Sequence, residues 1–297
     1  MTSALFDETF LRKLEQLSLV ARRVRRGQFR GEKRSTRRGQ SIEFADYRNY
    51  VRGDDLRALD WNVFARLEKP FIKLFEEEVD QSVHILLDAS ASMDFPPEPA
   101  AENKWRYARR LAAALGYIAL TNHDRLHLSL LHGDAIIRRK PAHHRRAAHG
   151  LLDFLQSAAS GGKTHLSAGF AQYAGQVKRP GLLFVISDFL SDEPYRDGFS
   201  ALQQRGHEIT VLHILSPDEI APALAGDFQL VDVETGDRRE VTINAALRKI
   251  YRQKFEVWQN ELRGFCRKRQ MNYALISTDT PFEALLLHHL RQRHWLA

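Results

Sequence analysis

Two hydrophobic periods alternate along the chain. The apolar runs Val83–Leu87, broken only by His84, and Leu182–Ile186 are bounded by polar residues and predict strands buried on both faces. Glu208–Leu215 and Asn272–Ser277 read as further strands, and Phe71–Phe75 alternates apolar with basic residues as a strand does. Arg125–Leu131 and Ala135–Ile137 read as a strand pair around His132-Gly133-Asp134. Between the strands the period changes. Trp105, Ala108, Leu111, Ala112, Leu115 and Ile118 mark one helix, and Leu247, Ile250, Tyr251, Phe255, Trp258, Leu262 and Phe265 mark a long one. Shorter helices are predicted over 148–158, 167–177 and 195–204. Leu5–Val24 carries Phe6, Phe10, Leu14 and Leu17 at helical spacing, so an amphipathic helix is predicted over that span. Phe228–Val233 and Glu240–Ile243, joined through Thr235-Gly236-Asp237, read as a hairpin. Thr280-Pro281-Phe282-Glu283 reads as a capping box with proline at the first helical position, opening a closing helix with Leu285, Leu286 and Leu290. Strands alternating with helices predict an open α/β sheet.

The candidate chemistry sits where these strands end. Asp88, Ser90 and Ser92 follow the first buried run at alternate positions. The loop leaving a parallel strand faces the crevice in which open α/β sheets bind ligands. One carboxylate and two hydroxyls there make an oxygen-only set that suits Mg²⁺ or Mn²⁺ rather than zinc. Taken alone, the triplet reads equally as an Asx or Ser turn with a helix N-cap. Two distant stretches add to it: the loop Gly161-Gly162-Lys163-Thr164-His165-Leu166, and the strand Gly181–Ser187 ending in Asp188.

The order Asp-x-Ser-x-Ser, then Thr164, then a strand-terminal Asp188 resembles the metal-ion-dependent adhesion site of von Willebrand factor A-type domains. Lys163 and His165 flank Thr164 where that pattern has a smaller and an acidic neighbour. Upstream, Gly53-Asp54-Asp55-Leu56-Arg57, Leu59-Asp60-Trp61, Ala65-Arg66 and Lys73–Glu78 resemble the family called domain of unknown function 58. The resemblance continues through Phe228–Thr242 and Ile276–Asp279. It implies a von Willebrand factor A-type sheet flanked by helices over 81–297 with an inserted hairpin near 228–243. Residues 1–80 then form an N-terminal extension of helix, basic arm and family-signature segment. It also implies Mg²⁺ (or Mn²⁺) held by Asp88, Ser90, Ser92, Thr164 and Asp188, the carboxylates binding directly or through water. The role implied is that of a non-enzymatic, metal-dependent adaptor. Its partner would be a MoxR-type AAA ATPase, or another protein presenting an acidic side chain, in chaperone-like assembly or maturation of complexes.

Composition narrows the alternatives. The 297 residues are enough for a large core without staples, and the lone Cys266 excludes an intramolecular disulfide and a cysteine-based zinc site. No apolar run is long enough to span a bilayer, and Met1–Phe10 lacks the pattern of a signal peptide, so a cytoplasmic protein is expected. The net charge of +7 is carried by residues 1–40, with 11 Lys/Arg against 4 Asp/Glu. Arg22, Arg23, Arg25 and Arg26 open a basic arm at 22–38, and residues 27–41, rich in Gly, Arg, Ser and Thr, read as an exposed loop. Such an arm supports a second reading, a nucleic-acid-associated protein, although Phe29 is its one aromatic residue for stacking.

Other motifs are decoys. Gly162-Lys163-Thr164 lacks the earlier glycine and the preceding strand of a phosphate-binding loop. His143-His144 and His288-His289 have no zinc spacing with carboxylates. Ser90 and Ser92 lack a nucleophile elbow. Asp54, Asp55 and Asp60, set among arginines and aromatics, read as structural ion-pair partners rather than nuclease ligands. Trp61, in the same segment, is expected in the core.

Overall fold

The computed structural model describes residues 5–20, 42–51, 59–77, 81–97, 103–191, 194–233 and 236–297. The arm at 22–38, the loop at 27–41 and the block Gly53–Arg57 lie outside them. The chain divides into two compact units, Met1–Gly27 with Gln81–Ala297, and Gln28–Asp80.

Helix α1 (Glu8–Leu14) opens the larger unit. The Asp7 carboxylate accepts from Phe10 N at 2.7 Å and caps it. The amphipathic pattern to Val24 predicted a longer helix, but α1 ends at Leu14. Residues 18–20 instead run extended against the C-terminal segment: Ser18 N donates to Ala297 O, Ala297 N to Ser18 O, and Val20 N to Trp295 O, at 2.9–3.2 Å. Phe6, Phe10, Leu14 and Leu17 are buried as their spacing requires.

The smaller unit comprises β1 (Ile42–Asn49), α2 (Trp61–Leu67) and β2 (Phe71–Glu77), with β1 and β2 antiparallel. The buried Asp60 caps α2, its Oδ1 accepting from Asn62 N at 3.0 Å and Val63 N at 3.2 Å. Its carboxylate thus serves as a helix N-cap. Trp61 departs from expectation: it is 61% exposed, its ring meeting Phe64 edge-on at 6.2 Å. Among the residues of this unit whose burial is described, Leu59 and Ile72, paired across a bridge, are buried apolar positions, while none of the seven residues of α2 is buried. Trp61→Ala is therefore expected to change stability by under about 1 kcal/mol, the range of surface substitutions. A drop in melting temperature matching a buried-Trp truncation, about 3–5 kcal/mol, would contradict this placement.

The larger unit continues with β3 (Ser82–Asp88), α3 (Lys104–Thr121), β4 (Arg125–His132), β5 (Ala135–Arg138), α4 (Ala148–Ser157), α5 (Leu166–Gln176), β6 (Leu182–Ser187), α6 (Arg196–Gln204), β7 (Glu208–Leu215) and the one-turn α7 (Pro217–Ile220). The hairpin strands β8 (Gly226–Val231) and β9 (Arg238–Ile243), the long α8 (Ala245–Lys268) and β10 (Asn272–Ser277) follow. The closing segment is a short turn at Phe282–Ala284 and a π-helix at Leu285–Leu290. The expected capping box is absent there, because the turn starts at Pro281 with no side-chain cap.

Six strands form one sheet in the order β10-β7-β6-β3-β4-β5, all parallel except edge strand β5. The fold is a mixed α/β arrangement with a mostly parallel central sheet flanked by helices. Side chains alternate across it. Val83, Ile85, Leu87, Phe184 and Ile186 join the core made with α3, α4 and α1. Leu86, Leu183 and Val185 join the core made with α5, α6 and the second half of α8. This two-sided burial is why β3 and β6 read as continuous apolar runs.

At the N-terminal end of the sheet lies a histidine cluster. His84 and His127 are register partners whose rings stack at 4.5 Å, and His207 meets His84 edge-on at 4.7 Å. His84 Nδ1 shares a 2.8 Å hydrogen bond with Tyr173 OH. Burial, together with the neighbouring imidazoles, pushes His84 down to about 2, and burial pushes His207 down to about 4.

Candidate functional site

At the opposite end, the C-terminal ends of β3 and β6 bring the predicted acidic residues side by side. Asp88 closes β3 and is fully buried among backbone and hydroxyl donors. Its Oδ1 accepts from Ser90 N at 3.0 Å and its Oδ2 from Ser187 Oγ at 2.6 Å. Ser187 is itself fixed, since its Oγ accepts from Phe189 N at 2.9 Å. The loop then turns so that Ser90 Oγ and Ser92 Oγ lie 3.0 Å apart, and Ser92 Oγ donates to Asp188 Oδ1 at 3.4 Å. The alternate spacing in the sequence thus puts two hydroxyls between two strand-terminal carboxylates.

Thr164 arrives on a separate loop, tied to the first by Ala91 N donating to Gly162 O and Gly161 N to Ala89 O, both at 2.8 Å. Gly162 has φ +69°, a left-handed conformation that favours glycine. Thr164 is buried and its Oγ1 donates to Leu131 O at 3.4 Å. Among the described residues, no three His, Cys, Asp or Glu side chains form a metal-binding group. Any cation here would rest on two carboxylates supplemented by hydroxyls, a hard donor set.

The pattern reading missed Lys104. It sits in the first turn of α3 and is fully buried. Its Nζ donates to Asp188 Oδ2 at 2.6 Å and to Glu219 Oε1 at 2.5 Å. Burial by itself would lower the ammonium pKa, but Asp188 and Glu219 outweigh it and hold the pKa above the ordinary lysine value. Burial raises Glu219 in spite of the lysine, so one ammonium serves two carboxylates. Glu219 is in turn part of a capping box on α7, its Oε2 accepting from Ser216 N at 2.8 Å. A signal existed: Lys104 falls on the apolar stripe of α3, in phase with Ala108, Leu111 and Leu115.

His213 supports Asp188 from β7. Its Nε2 donates to the Asp188 carbonyl at 2.9 Å, which leaves Nδ1 to accept from Tyr273 OH at 2.9 Å. Burial holds it neutral, down to about 4. Asp88 moves the other way: burial and then the Asp188 charge push it up to about 7. Two buried carboxylates with one lysine, itself shared with Glu219, leave the site short of positive charge.

No helix among the described residues is long and apolar enough to cross a membrane. Over 245 residues the chain is 28% identical to the uncharacterised protein Rv1480 of Mycobacterium tuberculosis, covering 82% of this chain and 76% of that one. It is 38% identical over 71 residues to the uncharacterised protein MAV169 of Mycobacterium avium, 24% of this chain and 41% of that one. Among solved structures it is similar to the conserved hypothetical protein BatB from Bacteroides thetaiotaomicron, at 14% identity and a TM-score of 0.44, covering 72% of this chain and 98% of that one. An aerotolerance-related membrane protein from Bacteroides fragilis, solved with multiple mutations to serine, matches at 17% identity and a TM-score of 0.44, over 71% of this chain and 99% of that one. Residues 46–261 match the family described as protein of unknown function DUF58, a stretch that takes in the signature segment, both strand-terminal carboxylates and most of α8, and the chain belongs to that family.

Proposed function

We propose that this protein is a divalent-cation-dependent protein-binding module of von Willebrand factor A type, and not an enzyme. The observation that carries the reading is the juxtaposition of Asp88 and Asp188 with Ser90 and Ser92 at the ends of two adjacent parallel strands, with Asp88 pushed up to about 7 by burial and by the Asp188 charge. Mg²⁺ or Mn²⁺ fits this chemistry: Ser90, Ser92 and Thr164 offer hydroxyl oxygens, and Asp88 and Asp188 offer carboxylates directly or through water. When bound, such a cation supplies an open coordination position for an acidic side chain of a partner. Lys104 holds Asp188 Oδ2, which leaves Oδ1 on the side of Ser92. His213 fixes the Asp188 backbone, and Ser187 orients Asp88.

The family resemblance supports a MoxR-type AAA ATPase as partner, with the module coupling that ATPase to a client during assembly or maturation of complexes. Asp88→Ala and Thr164→Ala are expected to leave the fold intact and to weaken Mg²⁺ binding at least tenfold, a loss of about 1.4 kcal/mol or more. Calorimetric titration with magnesium tests this, and wild-type titrations for both variants would remove the site. A pulldown of the ATPase with and without chelator tests the partner. Equal capture in both arms would sink metal dependence even if the two proteins associate.

A further inference from the structure

The first half of α8 is tied to Asp188 by two separate routes. In the polar route, Asp188 Oδ2 meets Lys104 Nζ at 2.6 Å, Lys104 meets Glu219 at 2.5 Å, and the Glu219 carbonyl accepts from Tyr251 OH at 2.6 Å. In the aromatic route, the Asp188 carbonyl accepts from His213, whose ring meets Trp258 edge-on at 5.0 Å. Trp258 meets Phe255 at 5.7 Å, and Phe255 stacks on Tyr251 at 6.3 Å. Tyr251, Phe255 and Trp258 follow one another along one face of the helix. The two routes close a ring, so the outer half of α8 is held in fixed register with the carboxylate site.

That half of α8 is otherwise uncovered. Ile250, Tyr251 and Val257 are 49%, 40% and 58% exposed, whereas Leu262 and Cys266, further along, are buried. Beside Tyr251 lies a groove of about 260 Å³, lined by Arg248, Lys249 and Arg252 together with the apolar Ile220, Pro222 and Ala245. No carboxylate lines it, and none of its three cations is in an ion pair among the described residues. The volume is below that of a typical small-molecule site. It fits one or two side chains of an extended segment.

We infer that this groove between α7 and α8 binds an acidic, extended segment of a protein partner, and that the same segment places one carboxylate at the Asp88–Asp188 site. The second clause rests on the proposed function; the groove does not. Charge complementarity selects the occupant, since three cations with no ion pair among the described residues, beside apolar surface, match alternating acidic and apolar side chains. The ring of contacts accounts for register, because it fixes the spacing between the groove and the carboxylates.

The probe is fluorescein-labelled deca-glutamate, with deca-glutamine and a ten-residue oligothymidylate as comparison arms, each measured by anisotropy in magnesium and in chelator. Arg248→Glu/Arg252→Glu changes two exposed residues outside the carboxylate site. It is expected to bind Mn²⁺ as the wild type does, by titration of the free ion, while losing about tenfold or more in affinity for deca-glutamate. Ser92→Ala is expected to lose affinity for both. Groove-dependent binding that persists unchanged in chelator supports the groove and overturns only the metal reading. Equal deca-glutamate binding by the charge-reversed variant overturns the groove, as does an absence of binding by the wild type. Tighter binding of the oligothymidylate, lost in the same variant, also overturns it and makes the surface one for nucleic acid.

Discussion

Exchanging Lys104 for methionine is expected to destabilise the larger unit by about 3–5 kcal/mol, the range for removing one partner of a buried ion pair. The loss arises from what stays behind. Asp188 keeps a fully buried Oδ2 with no ammonium, and Glu219 keeps a half-buried one. Methionine fills most of the lysine stem's volume, so packing contributes little. Chemical denaturation at neutral pH measures the effect. Lys104→Met/Glu219→Gln should be no worse than the single exchange, because it removes one stranded charge. Added Mg²⁺ should restore part of the loss, since Asp188 then offers both oxygens. A variant as stable as the wild type would mean that Lys104 is not the counter-ion of Asp188.

The second large effect is acid sensitivity from the histidine cluster. His84 and His207 have folded-state values of about 2 and about 4, below the 6.5 of an unfolded histidine. As pH falls through 6.5, the unfolded chain takes up protons that the folded one refuses. Their contribution is therefore complete above 6.5 and is lost progressively on acidification. Each pKa unit is worth about 1.4 kcal/mol, so pH 5 removes on the order of 2 kcal/mol per histidine. Asp88 acts in the opposite sense: its folded value of about 7 lies above its unfolded 3.8, so protonation between 7 and 4 favours the folded state. The histidine part is isolated by comparing denaturation at pH 7 and pH 5 for the wild type and His84→Gln/His207→Gln. The double variant should resist acid better than the wild type. Identical pH slopes would show that the cluster does not refuse protons.

The sheet was legible in the sequence because β3 and β6 are buried on both faces, and burial of that kind leaves runs with almost no polar residue. The acidic strand ends were legible for the same reason, since Asp88 and Asp188 stop those runs. The partners of Asp188 were not. Glu219 belongs to a one-turn capping box whose outward-looking pattern hides its contact with Lys104, 115 residues away. His213 lies inside an apolar strand, and its tie is to a backbone carbonyl, which no side-chain pattern announces. Trp61 misled because aromatic density among charges fits a packed interior and an exposed two-turn helix equally well. The stripe to Val24 overran α1 because the same apolar residues serve an extended segment that pairs with residues 295–297.

That pairing carries a consequence for how the chain is made. Lys13 meets Glu283, 270 residues on, and Leu19 bridges Leu296. At about 5–20 residues per second, a ribosome supplies the second half of this clasp on the order of 15–60 s after the first. For all that time Phe6, Phe10 and Leu14 have no Phe282 or Leu286 to rest against and remain available to holdase chaperones. Deleting residues 295–297 removes the segment that pairs with residues 18–20, and is expected to show first as poorer yield and greater chaperone association during synthesis, before any change in the sheet itself.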